Sequence, residues 1–168
     1  MTPDANRGAS LSGRLPSKWL AAGALRTLSP EQVWMELRVD PALLDLSDGD
    51  LWDLTAYAWR QAAAGGAAEG EAIFRENCAA CHGETGQGDG VITRGLPTME
   101  EVTEMGHDLL RPPDFTHPGV LTSASPALLE GKIIRGGMGT GMPYWGPILT
   151  DEQIQAVSLY LYHFAMDW

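Results

Sequence analysis

The hexapeptide CAACHG, residues 78–83, restricts this chain more than any other feature of its sequence. It contains the only two cysteines in the 168 residues, separated by two alanines and followed directly by His82. A bridge between Cys78 and Cys81 would close a loop too short to add much stability, and two cysteines cannot build a disulfide framework. We therefore interpret the hexapeptide as a site of chemistry rather than as a structural staple.

Three kinds of chemistry use two cysteines at this spacing: a thioredoxin-like dithiol, half of a zinc site, and thioether attachment of haem with the next histidine as axial ligand. A dithiol would follow a buried strand, whereas residues 70–81 read as a helix with no strand before it. Zinc requires further ligands, but His107, His117 and His163 are isolated in the sequence. Haem attachment uses both thiols and the histidine, and it is the alternative that the sequence favours.

The composition narrows the class of protein further. Apolar residues make up 44% and charged residues 20% of the chain, which is typical of a globular protein. The net charge of −11 disfavours nucleic acid as a partner and fits a basic protein surface better. No apolar run approaches the ~18 residues of a transmembrane helix, and residues 1–18 show no signal-peptide core.

A longer stretch around the hexapeptide resembles a known family. Residues 70–90, GEAIFRENCAACHGETGQGDG, look like the opening of a class I cytochrome c, including its Gly-x-x-x-Phe pattern at Gly70 and Phe74. The resemblance implies an all-α, cytochrome c-like helical domain around one haem c, bound covalently through Cys78 and Cys81. It also implies that Gly70 lets the C-terminal helix cross closely and that Phe74 is a core residue.

In this family two axial side chains bind the haem iron, and the resemblance assigns the first to His82. The second is predicted to be Met142, because a thioether suits haem iron and Pro143 stiffens the backbone before it. Met138 is the alternative ligand, although it lies between glycines and is less constrained. The Met-Pro-x-Trp-Gly sequence resembles the family's ligand loop. The other predicted haem contacts in this loop are Tyr144 and Trp145.

The segment RPPD, residues 111–114, resembles a family segment that passes the histidine side of the haem. There a proline carbonyl accepts a proton from the second ring nitrogen of the ligand, which orients the ring and increases its basicity. The resemblance does not choose between Pro112 and Pro113. Arg111 is a candidate partner for a haem propionate, and a solvated arginine is the equally acceptable alternative.

Three helices are expected after the hexapeptide. A capping box at Thr150 and Gln153 starts the last one, which resembles the family's C-terminal helix. Its apolar positions recur at helical spacing: Ile154, Val157, Tyr160, Leu161 and Phe164. Shorter helices are predicted after Thr98 and after Ser125.

The N-terminal third contains a weak repeat of this C-terminal pattern. Residues 1–18 read as a polar, poorly ordered lead-in, and residues 19–66 as a helical extension with caps at Ser29 and Ser47. The extension resembles the latter half of a second cytochrome c domain, because its two helices match the C-terminal pair in order and spacing. It is expected to hold no haem, since its loop lacks a methionine and no cysteine precedes residue 78. Two generic amphipathic helices are the alternative interpretation. Residues 67–168 form the predicted haem domain, and residues 62–70 join the two parts.

The resemblance implies electron transfer by one low-spin haem with histidine and methionine ligands, not catalysis. The expected setting is a respiratory or photosynthetic redox complex, or a free carrier, outside the cytoplasmic membrane. Expected partners are redox proteins with a basic docking surface or a larger membrane-associated complex. The alternative function is a ligand-binding or peroxidase-like haem protein in which the sixth position of the iron is open.

Overall fold

All regular elements of the computed structural model are helical within the residues that it describes, which are 2–97, 110–137 and 140–168. The helices are α1 (Ala5–Ser10), α2 (Pro30–Arg38), α3 (Asp48–Ala63), α4 (Ala67–Ile73), α5 (Ala79–His82), α6 (Pro126–Arg135) and α7 (Asp151–Tyr160). A π-helical turn, Phe74–Cys78, joins α4 to α5, and 3-10 turns occupy Ser12–Arg14, Ser17–Leu20 and Leu161–Phe164. The all-α expectation is confirmed. None of the described helices has the length and apolarity that crossing a membrane demands.

Most of the helix starts follow from local side-chain chemistry. Ser29, Ser47 and Thr150 each accept a hydrogen bond from the backbone N–H three residues later, and all three form complete capping boxes. Ser125 caps α6 by accepting a hydrogen bond from the N–H of Leu128, with Pro126 at the first helical position. These predicted starts are therefore confirmed. The helix expected after Thr98 falls outside the described residues.

The crossing of α4 and α7 depends on the absence of a side chain at Gly70. A Cβ atom placed there would lie 2.5 Å from the carbonyl oxygen of Ala156 and 2.8 Å from Cβ of Tyr160. Phe74 lies one turn later and is fully buried. Its ring packs against that of Phe164, with 4.9 Å between the ring centroids. The close approach expected at Gly70 and the core position of Phe74 are both confirmed.

Residues 2–18 contain helix α1 and a 3-10 turn, which differs from the poorly ordered lead-in expected over residues 1–18. Helix α1 packs against α3, and Arg7 donates to both carboxylate oxygens of buried Asp53, at 2.6 Å and 2.8 Å. The backbone of residues 3–5 also pairs with Asp167 near the C-terminus. The polar side chain of Arg7 therefore holds α1 against α3, although about half of it is exposed to solvent.

The N-terminal helices and the C-terminal half of the chain share one hydrophobic core. Trp59 of α3 is fully buried and meets the ring of Tyr162 edge-on, with 5.7 Å between centroids. The hydroxyl of Tyr162 donates to the carbonyl oxygen of Ala124 at 2.6 Å, next to the start of α6. This core places α3 against α7, and the 3-10 turn after α7 against the residues that precede α6.

Candidate functional site

The two cysteines lie at the end of the continuous helical segment formed by α4, the π-helical turn and α5. Turns of π-helix inside α-helices occur often at functional sites. Both thiols are free and half-buried, and burial raises the pKa of Cys78 to about 11, with the neighbouring Cys81 adding to the shift. A reactive dithiol needs a lowered thiol pKa, so this environment opposes the oxidoreductase alternative.

The zinc alternative finds no support among the described residues. Within residues 2–97, 110–137 and 140–168, no group of three or more His, Cys, Asp or Glu side chains is arranged to hold a metal ion. His107 falls outside these ranges, and His117 and His163 are exposed. The thiols therefore lack the further ligands that a tetrahedral zinc site would require from this part of the chain.

His82 is the last residue of α5, and its environment suits a haem ligand. The imidazole stacks on the ring of Phe115 with 4.8 Å between centroids and 13° between planes. Burial lowers its pKa to about 4, so the ring is neutral at physiological pH, which is the form that binds a metal. Its Nδ1 atom is buried and has no hydrogen-bond partner in the described structure. A neutral imidazole beside two unbridged thiols fits haem c, which takes one histidine as an axial ligand and two thiols for its thioether bonds.

The loop after His82 is attached to the end of the helix by its own backbone. The last carbonyl groups of a helix have no partner inside the helix. Here the carbonyl oxygens of residues 79–82 accept hydrogen bonds from the N–H groups of Gly83, Ile92, Gly90 and Gly88, at 2.8–3.2 Å. The loop is therefore folded back against the backbone of residues 79–82.

Two residues that the sequence analysis did not select contribute to this arrangement. Thr93 is buried, and its hydroxyl donates to the carbonyl oxygen of Cys81 at 2.7 Å. Phe115 is buried and supplies the face on which His82 stacks. Phe115 directly follows the RPPD segment, so the resemblance of that segment to the family could have identified it. No motif in the neighbouring sequence identifies Thr93.

The RPPD segment reaches the loop beside His82, but through different contacts from those expected. Arg111 donates to the carbonyl oxygens of Gly88 at 3.0 Å and Gln87 at 3.3 Å, so its guanidinium fastens the loop. The carbonyl oxygen of Pro112 lies where a side chain of Gly88 would otherwise point. Nδ1 of His82 bonds to neither proline within the described structure. That bond and a propionate contact of Arg111 stay predictions for the haem-bound protein.

The predicted methionine loop, residues 136–146, follows α6 and is bound to it by hydrogen bonds. Gly136 ends α6 with a positive φ of 64°, and the N–H of Gly137 donates to the carbonyl oxygen of Met142 at 3.2 Å. Met142 and Trp145 are half-buried against the core, whereas Tyr144 is 62% exposed. Ligation by Met142 and the haem contacts of Tyr144 and Trp145 stay predictions. The alternative ligand, Met138, lies outside the described residues.

An all-α fold, paired free thiols and a neutral histidine at the end of the same helix define the class: the chain is a class I c-type cytochrome. It belongs to the family described as Cytochrome C oxidase, cbb3-type, subunit III, which matches residues 65–161. The match begins after the N-terminal third, so the additional helices α1–α3 precede the part of the chain that the family describes.

Among curated relatives, the cbb3-type cytochrome c oxidase subunit CcoP of Azospirillum sp. (strain B510) is 30% identical over 104 residues, which are 62% of this chain and 30% of that protein. Subunit FixP of the cbb3-type oxidase from Bradyrhizobium diazoefficiens is 34% identical over 96 residues, 57% of this chain and 27% of that protein. The matched region thus spans less than a third of either relative.

Two solved structures resemble this chain at low sequence identity. The Kuenenia stuttgartiensis reducing HAO-like protein complex Kustc0457/Kustc0458 aligns with a TM-score of 0.49 and 18% identity, covering 82% of this chain and 73% of that chain. Cytochrome c6C from Synechococcus sp. PCC 7002 aligns with a TM-score of 0.34 and 24% identity, covering 60% of this chain and 99% of that chain.

Proposed function

We propose that this chain transfers electrons through one haem c bound by thioether bonds to Cys78 and Cys81. The observation that carries the proposal is the placement of His82, which stacks on Phe115 and directly follows two unbridged thiols on the helix that the family match covers. Its buried Nδ1 has no hydrogen-bond partner among the described residues. The cofactor supplies a ferric and ferrous couple. The chain supplies two attachment points, the axial ligands His82 and Met142, and a loop held by Arg111 that covers the histidine side.

Two protein ligands on the iron leave no position for a substrate, which favours electron transfer over catalysis. A thioether ligand also raises the potential of haem iron. The family name and the relatives' names refer to a cbb3-type cytochrome c oxidase, and we propose that the chain serves as an electron-transfer part of such a respiratory complex. The net charge of −11 favours a basic docking surface on its partner.

We further propose that the haem domain comprises residues 67–168 and faces the outside of the cytoplasmic membrane, as the resemblance to c-type cytochromes implies. The test is to fractionate cells that produce the chain and to locate its covalent haem by peroxidase-type staining of a denaturing gel. Finding the haem-loaded chain exclusively in the cytosolic fraction would contradict this location.

The N-terminal third is proposed to be a second cytochrome c-like helix frame that holds no haem. Helix α1 crosses α3 at Gly8, where a Cβ atom would approach the carbonyl oxygen of Asp53 and lie 2.9 Å from Cβ of Tyr57. The crossing of α4 and α7 at Gly70 uses the equivalent pair, a carbonyl and the Cβ of a tyrosine four residues later. Intact-mass measurement tests the proposal, because it predicts one haem increment per chain. Two increments would overturn it.

Replacement of Met142 by alanine tests the second axial ligand. We expect the isolated ferric protein to lose the long-wavelength absorption band of sulfur bound to ferric iron. The reduction potential should fall, since axial ligands move haem potentials over a total of about 0.8 V. Met35→Ala is the matched control, because Met35 is 48% exposed on α2.

The same pair of variants separates the competing assignments. A band that persists in Met142→Ala would transfer the role to another sulfur donor, with Met138 as the first candidate. Absence of the band in the unsubstituted protein, together with rapid carbon monoxide binding by its ferrous form, would instead support the ligand-binding or peroxidase-like function.

A further inference from the structure

Helix α6, which leads into the methionine loop, is bound by residues that lie outside the region matched by the family, residues 65–161. Three contacts from the N-terminal third reach it or the turn before it. The N–H of Ala127 donates to the carbonyl oxygen of Arg26 at 2.8 Å, and the N–H of Glu31 donates to that of Thr122 at 3.0 Å. The third contact is an ion pair between Arg26 and Glu130, with Nη2 and Oε2 2.7 Å apart.

The ion pair is asymmetric in its burial. The side chain of Glu130 is 9% exposed, whereas that of Arg26 is 59% exposed and reaches in from the surface. The hydrogen bond to Glu130 raises the pKa of Arg26. A buried carboxylate that loses its partner is costly, so α6 has a strong preference for the position that keeps Glu130 within reach of Arg26.

The same turn of α6 fastens the methionine loop. Ile133 and Ile134 follow Glu130 by three and four residues, and their carbonyl oxygens accept hydrogen bonds from the N–H groups of Trp145 and Gly146, each at 3.3 Å. Those two residues follow Met142 by three and four positions in the sequence. A shift or rotation of α6 therefore moves the segment that carries Met142.

We propose that Arg26 and Glu130 are positioning residues for the Met142 loop and that the N-terminal third stabilises methionine ligation through them. This inference rests on the proposed function, in which Met142 is the axial ligand. Without the pair, α6 loses its fixed position, and a larger fraction of molecules has Met142 detached from the iron.

The variant Glu130→Gln tests this in the full, haem-loaded chain, because it keeps the size of the side chain and removes its charge. The matched control is Asp53→Asn. Asp53 is also a buried carboxylate, with 6% of its side chain exposed, and it pairs with the half-exposed Arg7 at 2.6 Å and 2.8 Å inside the N-terminal third. If Glu130→Gln does not take up haem, Arg26→Gln removes the same pair from the exposed side, and Arg26→Lys restores the charge.

Two measurements report on the loop itself. The first is the affinity of the ferric protein for added imidazole, which competes with Met142 for the iron. The second is hydrogen exchange at the amides of Trp145 and Gly146, which follows local opening and needs no assumption about the ligand. We expect Glu130→Gln to raise both by about fivefold, the lower end of coupling between linked sites. Asp53→Asn should change neither.

Unchanged imidazole affinity and unchanged exchange in Glu130→Gln would overturn the inference, even if the thermal midpoint fell, because a purely structural pair lowers stability alone. Met142→Ala distinguishes this failure from failure of the proposed function. If Met142→Ala abolishes sulfur ligation while Glu130→Gln has no effect, the inference alone is wrong. If sulfur ligation survives in Met142→Ala, the ligand assignment is wrong and the inference falls with it.

Discussion

Replacement of both Cys78 and Cys81 by serine is expected to yield a chain that carries no covalently bound haem. Serine is close to cysteine in size, but its hydroxyl forms no thioether bond with the porphyrin. Both sulfur atoms are free in the structure, so the substitution breaks no disulfide and isolates the loss of attachment. The expected effect is complete, because the chain has no other cysteine.

Intact-mass measurement and extraction with acidified organic solvent check this result. The unsubstituted chain should keep its colour through extraction, and the double variant should release any pigment that it holds. The single variants, Cys78→Ser and Cys81→Ser, serve as internal controls and should each retain one thioether bond. A double variant that still carries the haem mass increment would refute attachment at these residues.

The second large effect is expected at Gly70, where alanine should lower the free energy of unfolding by about 3 kcal/mol, the upper end for overpacking a well-packed contact. The added Cβ would lie 2.5 Å from the carbonyl oxygen of Ala156 and 2.8 Å from Cβ of Tyr160. Neither atom belongs to the flexible end of a side chain, so α4 and α7 would have to separate.

Chemical denaturation of the haem-loaded protein measures this loss. Gly65→Ala is the matched control, because a Cβ atom there meets nothing within 4 Å. It should change the free energy of unfolding by no more than about 0.5 kcal/mol. Equal stability of the two variants would show that α4 and α7 do not pack as closely as this structure has them.

The features predicted most accurately from the sequence depend on neighbouring residues in the chain. The caps at Ser29, Ser125 and Thr150 each act within one helical turn, and all three are formed. The CAACHG hexapeptide similarly places two thiols and an imidazole on one helix end through spacing alone. Gly70 and Phe74 were identified through resemblance to a family whose helix crossing is already known.

The sequence by itself thus determined the helix starts at Ser29, Ser47, Ser125 and Thr150, the all-α class and the residues that are proposed to bind haem. The tertiary structure alone decided which distant groups support them. Thr93 is 12 residues from the Cys81 carbonyl that it binds, Arg7 is 46 residues from Asp53, and Arg26 is 104 residues from Glu130. A helix cap is encoded within four residues, whereas a partner for a buried carboxylate is chosen by the packing of the whole chain.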